Sequence, residues 1–296
     1  MRRSSALPTL VLLACLGLLA ACSRIDLAYR NLDWLLTWRV DQYLDLDRQQ
    51  KAWLKPRLQE HQAWHCSTQM PQLATWLEED GARLAAGRLD SDRLLQRLGQ
   101  LRQALDAVSV EVGPTAAGLL QQLNPQQVEQ LRQTLAEENA ELRREFVDPP
   151  PAELLEHRRV RMEKRLQPWF GQLDAAQRDL VARWARQLEG QSPLWLDSRE
   201  RWQAALLATL EQRQAEDFAA RIEQLFTRRQ DYWSEDYRAA FARGEQALAE
   251  LLGGLIASSS AQQRQHLQAR LGELREDIAG LSCETATGAA VANRSE

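Results

Sequence analysis

A motif that starts α-helices occurs four times along the sequence and restricts the chain to a helical fold. In each copy an Asp, Asn or Ser is followed three positions later by Gln: Asp47 and Gln50, Asn124 and Gln127, Asp174 and Gln177, and Ser260 and Gln263. This pattern is typical of a capping box, in which the short side chain accepts a backbone N–H of the first helical turn and the Gln side chain reaches back to the N–H of the cap. The sequence therefore predicts that four helices begin at these positions.

Apolar residues recur every three or four positions, which is the spacing of one face of an α-helix. The clearest stripe is Leu267, Leu271, Leu274, Ile278 and Leu281, and three similar stripes occur between positions 128 and 226. No segment alternates apolar and polar residues as strands do, and the whole chain has only 14 Gly. The sequence predicts an all-α fold, built as a multi-helix bundle or cradle.

The spacing of the four motifs also indicates an internal repeat. The caps at Asp47, Asn124, Asp174 and Ser260 are separated by a long, a short and again a long interval. Laying the first half of the chain over the second brings Asp47 to within one position of Asp174. This pattern predicts two tandem helical modules, residues 46–148 and 149–282. The alternative is chance, because helices rich in Leu, Gln, Arg and Ala align easily with one another.

The N-terminal segment from Met1 to Cys22 has the features of an export signal. Arg2 and Arg3 precede an apolar run from Leu10 to Ala21, which is too short for a comfortable membrane span and suits the core of a signal peptide. The run ends in Leu-Ala-Ala followed by Cys22, and this sequence resembles the lipobox of bacterial lipoproteins. The alternative is an ordinary signal peptide with a chance cysteine.

The lipobox resemblance has consequences for processing and location. It implies that residues 1–21 are cleaved, that Cys22 carries the acyl chains, and that residues 22–45 form a lipidated N-terminus and a membrane-proximal helix. Several acyl chains on one cysteine anchor a protein more firmly than a single chain does. Residue 23 is Ser, whereas Asp at this position retains enteric lipoproteins at the inner membrane. The resemblance therefore implies the outer membrane, with the chain on its periplasmic face.

The mature chain is acidic. Without the two arginines of the signal, 35 Lys and Arg residues stand against 41 Asp and Glu residues, which gives a net charge of −6. Nucleic-acid-binding proteins carry a basic excess, so this class of function is excluded. The arginines alternate with Glu, Asp and Gln, which is typical of a solvated helical surface with salt bridges.

Two cysteines remain after Cys22, and the oxidising periplasm favours a disulfide between them. Cys66 follows the Asp47 cap at nearly the same distance along the chain as Cys283 follows the Ser260 cap. Helices that start at the same end of a bundle and run parallel would bring these cysteines together, leaving residues 283–296 as a loose tail. The alternative is two unrelated buried thiols.

These residues carry two resemblances to known families. The stretches Tyr29–Leu36 and Asp41–Leu46, followed by Trp64 and His65, resemble a family of Gram-negative lipoproteins of unknown function. The repeated caps are similar to the Leu-Thr-x-x-Gln boxes of the Spy and CpxP periplasmic chaperones, with Asp, Asn or Ser in place of Thr. The second similarity implies a thin helical cradle that binds proteins without ATP.

Few residues are candidates for chemistry. His61 and His65 are four apart and share a helix face, a spacing that suits zinc, but no fourth ligand is evident beside them and Cys66. Half-buried histidines at a helix end are the alternative interpretation. The sequence has no Gly-x-Ser-x-Gly elbow, no glycine-rich phosphate loop and no dinucleotide-binding fingerprint. We therefore predict no metal, no cofactor and no catalysis.

Tryptophan is unusually frequent, with ten residues, all of them in the mature chain. They are Trp34, Trp38, Trp53, Trp64, Trp76, Trp169, Trp184, Trp195, Trp202 and Trp233. Most are predicted to pack in the core, whereas Trp34 and Trp38 are close enough to the anchor to lie at the lipid interface. A few are expected to line a cradle for partners, because interfaces favour Trp and Arg.

These observations predict an outer-membrane lipoprotein, facing the periplasm, that binds non-native or partner proteins as an ATP-independent chaperone does. One alternative is a lipid-tethered structural or assembly factor with a single dedicated partner. Another is a cell-wall hydrolase, whose paired carboxylates would come from separated segments of the chain.

Overall fold

The computed structural model describes residues 29–281 and 283, and over these residues the chain forms ten α-helices, one 3₁₀ turn and no strand. The predicted all-α fold is therefore confirmed. The helices are α1 Leu32–Leu44, α2 Arg48–Ala85, α3 Ser91–Gln121, α4 Pro125–Phe146, α5 Pro151–Phe170, α6 Ala175–Gln187, α7 Gln191–Leu210, α8 Phe218–Thr227, α9 Glu235–Ser258 and α10 Ala261–Ala279, with the 3₁₀ turn at Arg229–Tyr232. Cys22 and the predicted tail after Cys283 lie outside the described residues.

Two hydrophobic cores lie along the molecule. The first contains buried residues of α1 to α4, α7 and α8, among them Leu54, Leu131 and Ile222. The second contains residues of α2, α5, α6, α9 and α10, among them Leu84 and Val181. The predicted stripes on α4, α6, α8 and α10 supply part of these two cores.

The long helix α2 joins the two cores. Its 38 residues span about 57 Å, and it contributes Leu54 to the first core and Leu84 to the second. Arg97 of α3 clamps α3 onto α2 through Nε and Nη2, which donate to the two carboxylate oxygens of Asp80 at 2.7 and 2.8 Å. Both cores draw residues from either side of residue 148, and the division into modules 46–148 and 149–282 stays a prediction.

Cys66 and Cys283 form a disulfide with a Cα–Cα distance of 5.5 Å, which links the middle of α2 to the segment after α10. The parallel arrangement expected for the two helices is wrong. Leu267 near the start of α10 shares the second core with Leu84 near the end of α2, so the two helices run antiparallel. Helix α10 therefore runs back along α2 and ends close to Cys66.

Four of the ten tryptophans lie at the edges of the cores. Trp53 and Trp202 pack against the first core, and Trp169 and Trp184 pack against the second. None of the ten is fully buried, and the expectation that most lie inside a core is wrong. An indole ring at the edge of a core covers apolar side chains with one face, while its other edge stays within reach of a polar partner.

Helix α1, which is predicted to lie near the membrane, carries an exposed apolar face. Trp34 is 63% exposed and Trp38 is 51% exposed, and the two lie one helical turn apart. Leu35 and Leu36 are also exposed. Among the described residues, no helix is both long enough and apolar enough to cross a membrane.

Candidate functional site

The predicted capping residues form capping boxes at the starts of α2, α4, α6 and α10. The structure brings them together in two pairs, Gln50 with Gln127 and Gln177 with Gln263, whose side-chain amides hydrogen-bond to each other. Of the four Gln residues, only Gln263 is not buried. These residues join helix ends in the interior, and they do not form a surface for a ligand.

The predicted metal candidates are engaged in hydrogen bonds. The ring nitrogens of His61 lie 3.0 Å from Glu111 Oε1 and 2.7 Å from Thr115 Oγ1. His65 Nδ1 lies 3.0 Å from the Tyr29 hydroxyl, and burial lowers the pKa of His65. Cys66 is in the disulfide, and the two histidines hydrogen-bond α2 to neighbouring segments of the chain. The described part of the chain contains no group of three or more His, Cys, Asp and Glu residues placed to hold a metal ion.

A groove crosses the described surface, with α5 on one side and α7 and α9 on the other, and we call it the α5–α7 groove. Its central section has a volume of about 380 Å³ and lies between Arg158 of α5, Trp195 of α7 and Phe241 of α9. A second section of about 410 Å³ continues toward Pro151 and Pro193. An outer section of about 640 Å³ continues along α7 toward α3 and the 3₁₀ turn. The central section shares lining residues with each of the other two, so the groove is continuous.

The groove exists because α5 does not close onto α7 and α9. Helix α5 packs on α6 and α10, while α7 packs on α4, α8 and α9. Along α7, one stripe of residues faces the groove on successive turns: Ser192, Trp195, Arg199 and Trp202. Ten residues of helix correspond to about 15 Å of groove length. This length and an open top suit an extended segment of chain rather than an enclosed small molecule.

Aromatic rings form the walls of the groove. Phe146 and Trp195 meet edge to face with ring centroids 6.5 Å apart. On α9, Tyr237 and Phe241 pack against Trp233, with centroid distances of 4.9 and 4.8 Å. Rings that pack on one another lose little freedom when a ligand contacts them, which favours binding.

Arginines line the groove in two different electrostatic states. In the outer section, each arginine is paired with a carboxylate: Arg102 with Glu245, Arg199 with Glu138, Arg228 with Asp231 and Arg229 with Asp106. In the central section, Arg158, Arg161 and Arg165 lie at helical spacing on α5, and the described lining there includes no carboxylate.

The three central arginines are only partly compensated by their surroundings. Arg158 donates to the backbone oxygen of Ala185 at 2.9 Å, and its burial, with the neighbouring Arg161, lowers its pKa. Arg161 lies over the Phe146 ring and reaches Glu145 at 3.4 Å. Arg165 is exposed and makes no hydrogen bond or ion pair to any residue that the structure describes.

Two buried polar atoms in the groove walls lack a hydrogen-bond partner within the described chain, Trp184 Nε1 and Ser198 Oγ. A buried donor without a partner costs about 1–3 kcal/mol. Trp184 lines the central section and Ser198 lines the outer section. Both atoms are shielded from the groove itself, so they are unsatisfied groups inside its walls and not contacts for a ligand.

No local sequence pattern predicts this groove, although some tryptophans are expected to line a cradle. Its lining comes from positions between 102 and 241, which are distant in sequence. Two local patterns point to it in retrospect, the arginines at 158, 161 and 165 and the Trp-Arg stripe from 195 to 202. Such stripes also occur on ordinary solvated helices, so the pattern alone does not distinguish a groove wall from a solvated helix surface.

The architecture defines an all-α protein with two cores and an open groove lined by aromatic residues and arginines. The chain belongs to the DUF6279 family, a family of unknown function, which matches residues 42–238. The match extends from the end of α1 to the start of α9 and includes most of the groove. No curated protein and no solved structure matches the chain. The resemblance to a family of unknown function is confirmed in this form, whereas the lipoprotein and chaperone resemblances stay predictions.

Proposed function

We propose that this chain is a lipoprotein on the periplasmic face of the outer membrane and that it binds a segment of a partner protein in the α5–α7 groove without a chemical reaction. The observation that carries the binding proposal is the composition of the groove. Trp, Tyr and Arg are the residues that contribute most to protein interfaces, and here they line one continuous surface.

The anchor part of the proposal is supported by the lipobox-like sequence that ends at Cys22. The exposed Trp34 and Trp38 support it further, because they follow Cys22 closely in the sequence and tryptophan favours the membrane interface. Replacing Cys22→Ser removes the acylated sulfur and is expected to release the protein from the outer-membrane fraction. A variant that fractionates with the outer membrane like the wild type contradicts the anchor.

A single dedicated partner is favoured over many unfolded clients. The chaperone resemblance depends on the capping boxes, and Gln50, Gln127 and Gln177 are buried between helix ends, where no client reaches them. The row of arginines in the central section instead favours a partner segment with a defined sequence that these charges recognise. The hydrolase alternative has no support in the central section, where the described lining lacks carboxylates.

The test is affinity purification of the lipoprotein from chemically crosslinked envelopes. Trp195→Ala opens the middle of the groove, and the matched control Trp169→Ala removes a half-buried indole that packs on the second core outside the groove. We expect one predominant partner that is captured by the wild type and the control and is lost from Trp195→Ala. Equal capture by both variants contradicts the groove, and many unrelated proteins support the chaperone version.

A further inference from the structure

The central section of the α5–α7 groove combines positive charge that is only partly compensated, by Glu145 beside Arg161 and Glu189 near Arg158, with aromatic walls. The chain as a whole has a net charge of −4, yet three arginines here face Trp195, Tyr237 and Phe241 without a carboxylate among the described lining residues. Every arginine of the outer section has a carboxylate partner, whereas in the central section only Arg161 has one, so the excess is carried by Arg158 and Arg165.

Positive charge that is partly desolvated attracts an anion more strongly than charge in open water does. Arg158 is half-buried and uses one N–H for the Ala185 carbonyl, while Arg165 extends from the same helix face without a partner among the described residues. Guanidinium groups bind carboxylates through two parallel hydrogen bonds, which gives them geometric selectivity. The rings opposite provide apolar contact beside the charge.

Resting on the proposed function, we propose that the central section recognises an acidic side chain of the bound segment. An aromatic or large apolar side chain next to it in the same segment packs on Trp195 and Phe241. The bound segment is a peptide rather than a fatty acid. The groove continues in both directions past the charged site and is open to solvent, whereas an acyl chain favours an enclosed apolar cavity.

The experiment uses isothermal titration calorimetry with the chain from Ser23 to Glu296, which keeps every described residue and the disulfide. The probes are three acetylated and amidated hexapeptides: Gly-Phe-Glu-Phe-Glu-Gly, its Gln analogue Gly-Phe-Gln-Phe-Gln-Gly, and Gly-Ser-Glu-Ser-Glu-Gly. We expect the first to bind at least tenfold more tightly than either of the others, because only it supplies both the carboxylate and the ring. Dodecanoate serves as the competitor that represents a fatty acid.

The matched variants are Arg165→Glu and Arg183→Glu, which reverse exposed arginines without an ion-pair partner in the described chain, the first inside the groove and the second outside it on α6. We expect Arg165→Glu to weaken the Phe-Glu peptide at least tenfold and Arg183→Glu to leave its affinity unchanged. The unfolding temperature of each variant confirms that it is folded.

The remaining outcomes each overturn a defined part of the proposal. If the Gln analogue binds as tightly as the Glu peptide and both need Trp195, the groove binds peptides and the acidic specificity is wrong. If dodecanoate displaces the peptide more effectively than the peptide displaces itself, the site is for an acyl chain. If no peptide binds, the proposed specificity is wrong. The proposed function is then decided separately, by whether capture of a crosslinked partner is lost in Trp195→Ala.

Discussion

Gln50 and Gln127 hydrogen-bond to each other through both of their side-chain amides, with Nε2–Oε1 distances of 3.1 and 2.7 Å. Each Oε1 also accepts the backbone N–H of its own cap, and each Nε2 also donates to a carbonyl at a helix end, that of Gln122 or Asp45. All four hydrogen-bonding positions of each amide are therefore used. The N-termini of α2 and α4 each carry a partial positive charge and would repel each other. The neutral amides of Gln50 and Gln127 join them.

Removing one member of this pair leaves the other buried amide without its partner. Gln50→Ala is expected to lower the free energy of unfolding by about 2–3 kcal/mol, because it removes a cap contact and leaves the Gln127 amide partly unsatisfied. The exposed Gln130 on α4 is the control, and Gln130→Ala should cost less than about 0.5 kcal/mol. Urea unfolding of the variants measures both values, and equal effects contradict the role of the pair.

The pair also predicts non-additive energetics. In the double variant Gln50→Ala with Gln127→Ala, no orphaned amide remains, so its cost should be smaller than the sum of the two single costs by about 1 kcal/mol. If the cost of the double variant equals the sum of the two single costs, the two amides act independently and the prediction is wrong.

The starts of these helices were predictable because a capping box is a local pattern of four residues. Which boxes meet was not, because that depends on the packing of helices whose paired glutamines are 77 or 86 positions apart in sequence. The direction of α10 shows the same limit. The similar distances from Asp47 to Cys66 and from Ser260 to Cys283 predicted that both caps lie at the same end of the bundle. In the structure, the Ser260 box instead pairs with the Asp174 box beside the second core.

The disulfide between Cys66 and Cys283 joins positions that are 217 apart in sequence. The loop-entropy argument gives a stabilisation of about 5 kcal/mol, and observed values of about 2–4 kcal/mol are more typical. Cys283→Ala is expected to lower the free energy of unfolding by an amount in this range and to increase hydrogen exchange at the end of α10. Reduction of the wild type should give the same loss, and a variant as stable as the oxidised wild type contradicts the assignment.

Burial lowers the pKa of His65 below its usual value of 6.5, so the unfolded chain binds a proton more readily than the folded chain does. The stability that this group contributes is fully present above pH 6.5 and is lost as the pH falls toward the lowered folded-state value. His65→Gln cannot titrate, and we expect its unfolding temperature to fall less than that of the wild type between pH 7.5 and 5. Parallel pH profiles contradict this expectation.

Helix α1 is expected to contact the bilayer through Trp34 and Trp38. The short segment between Cys22 and Leu32 spans no more than about 36 Å even when it is fully extended. In vesicles of brominated lipid, the anchored protein should lose up to about a fifth of its tryptophan fluorescence, since two of its ten tryptophans lie on this face. The variant Trp34→Phe with Trp38→Phe should lose none, and unchanged quenching would place other tryptophans at the membrane.

Site-specific photocrosslinking in intact cells reports directly whether the α5–α7 groove holds a partner protein. A benzophenone amino acid replaces Trp195 or Phe241 in the groove, or Trp169 outside it, and irradiated adducts are separated by mass. We expect one adduct of the same partner from positions 195 and 241 and none from position 169. Adducts at all three positions alike, or none at 195 and 241, would contradict a groove that binds a partner protein.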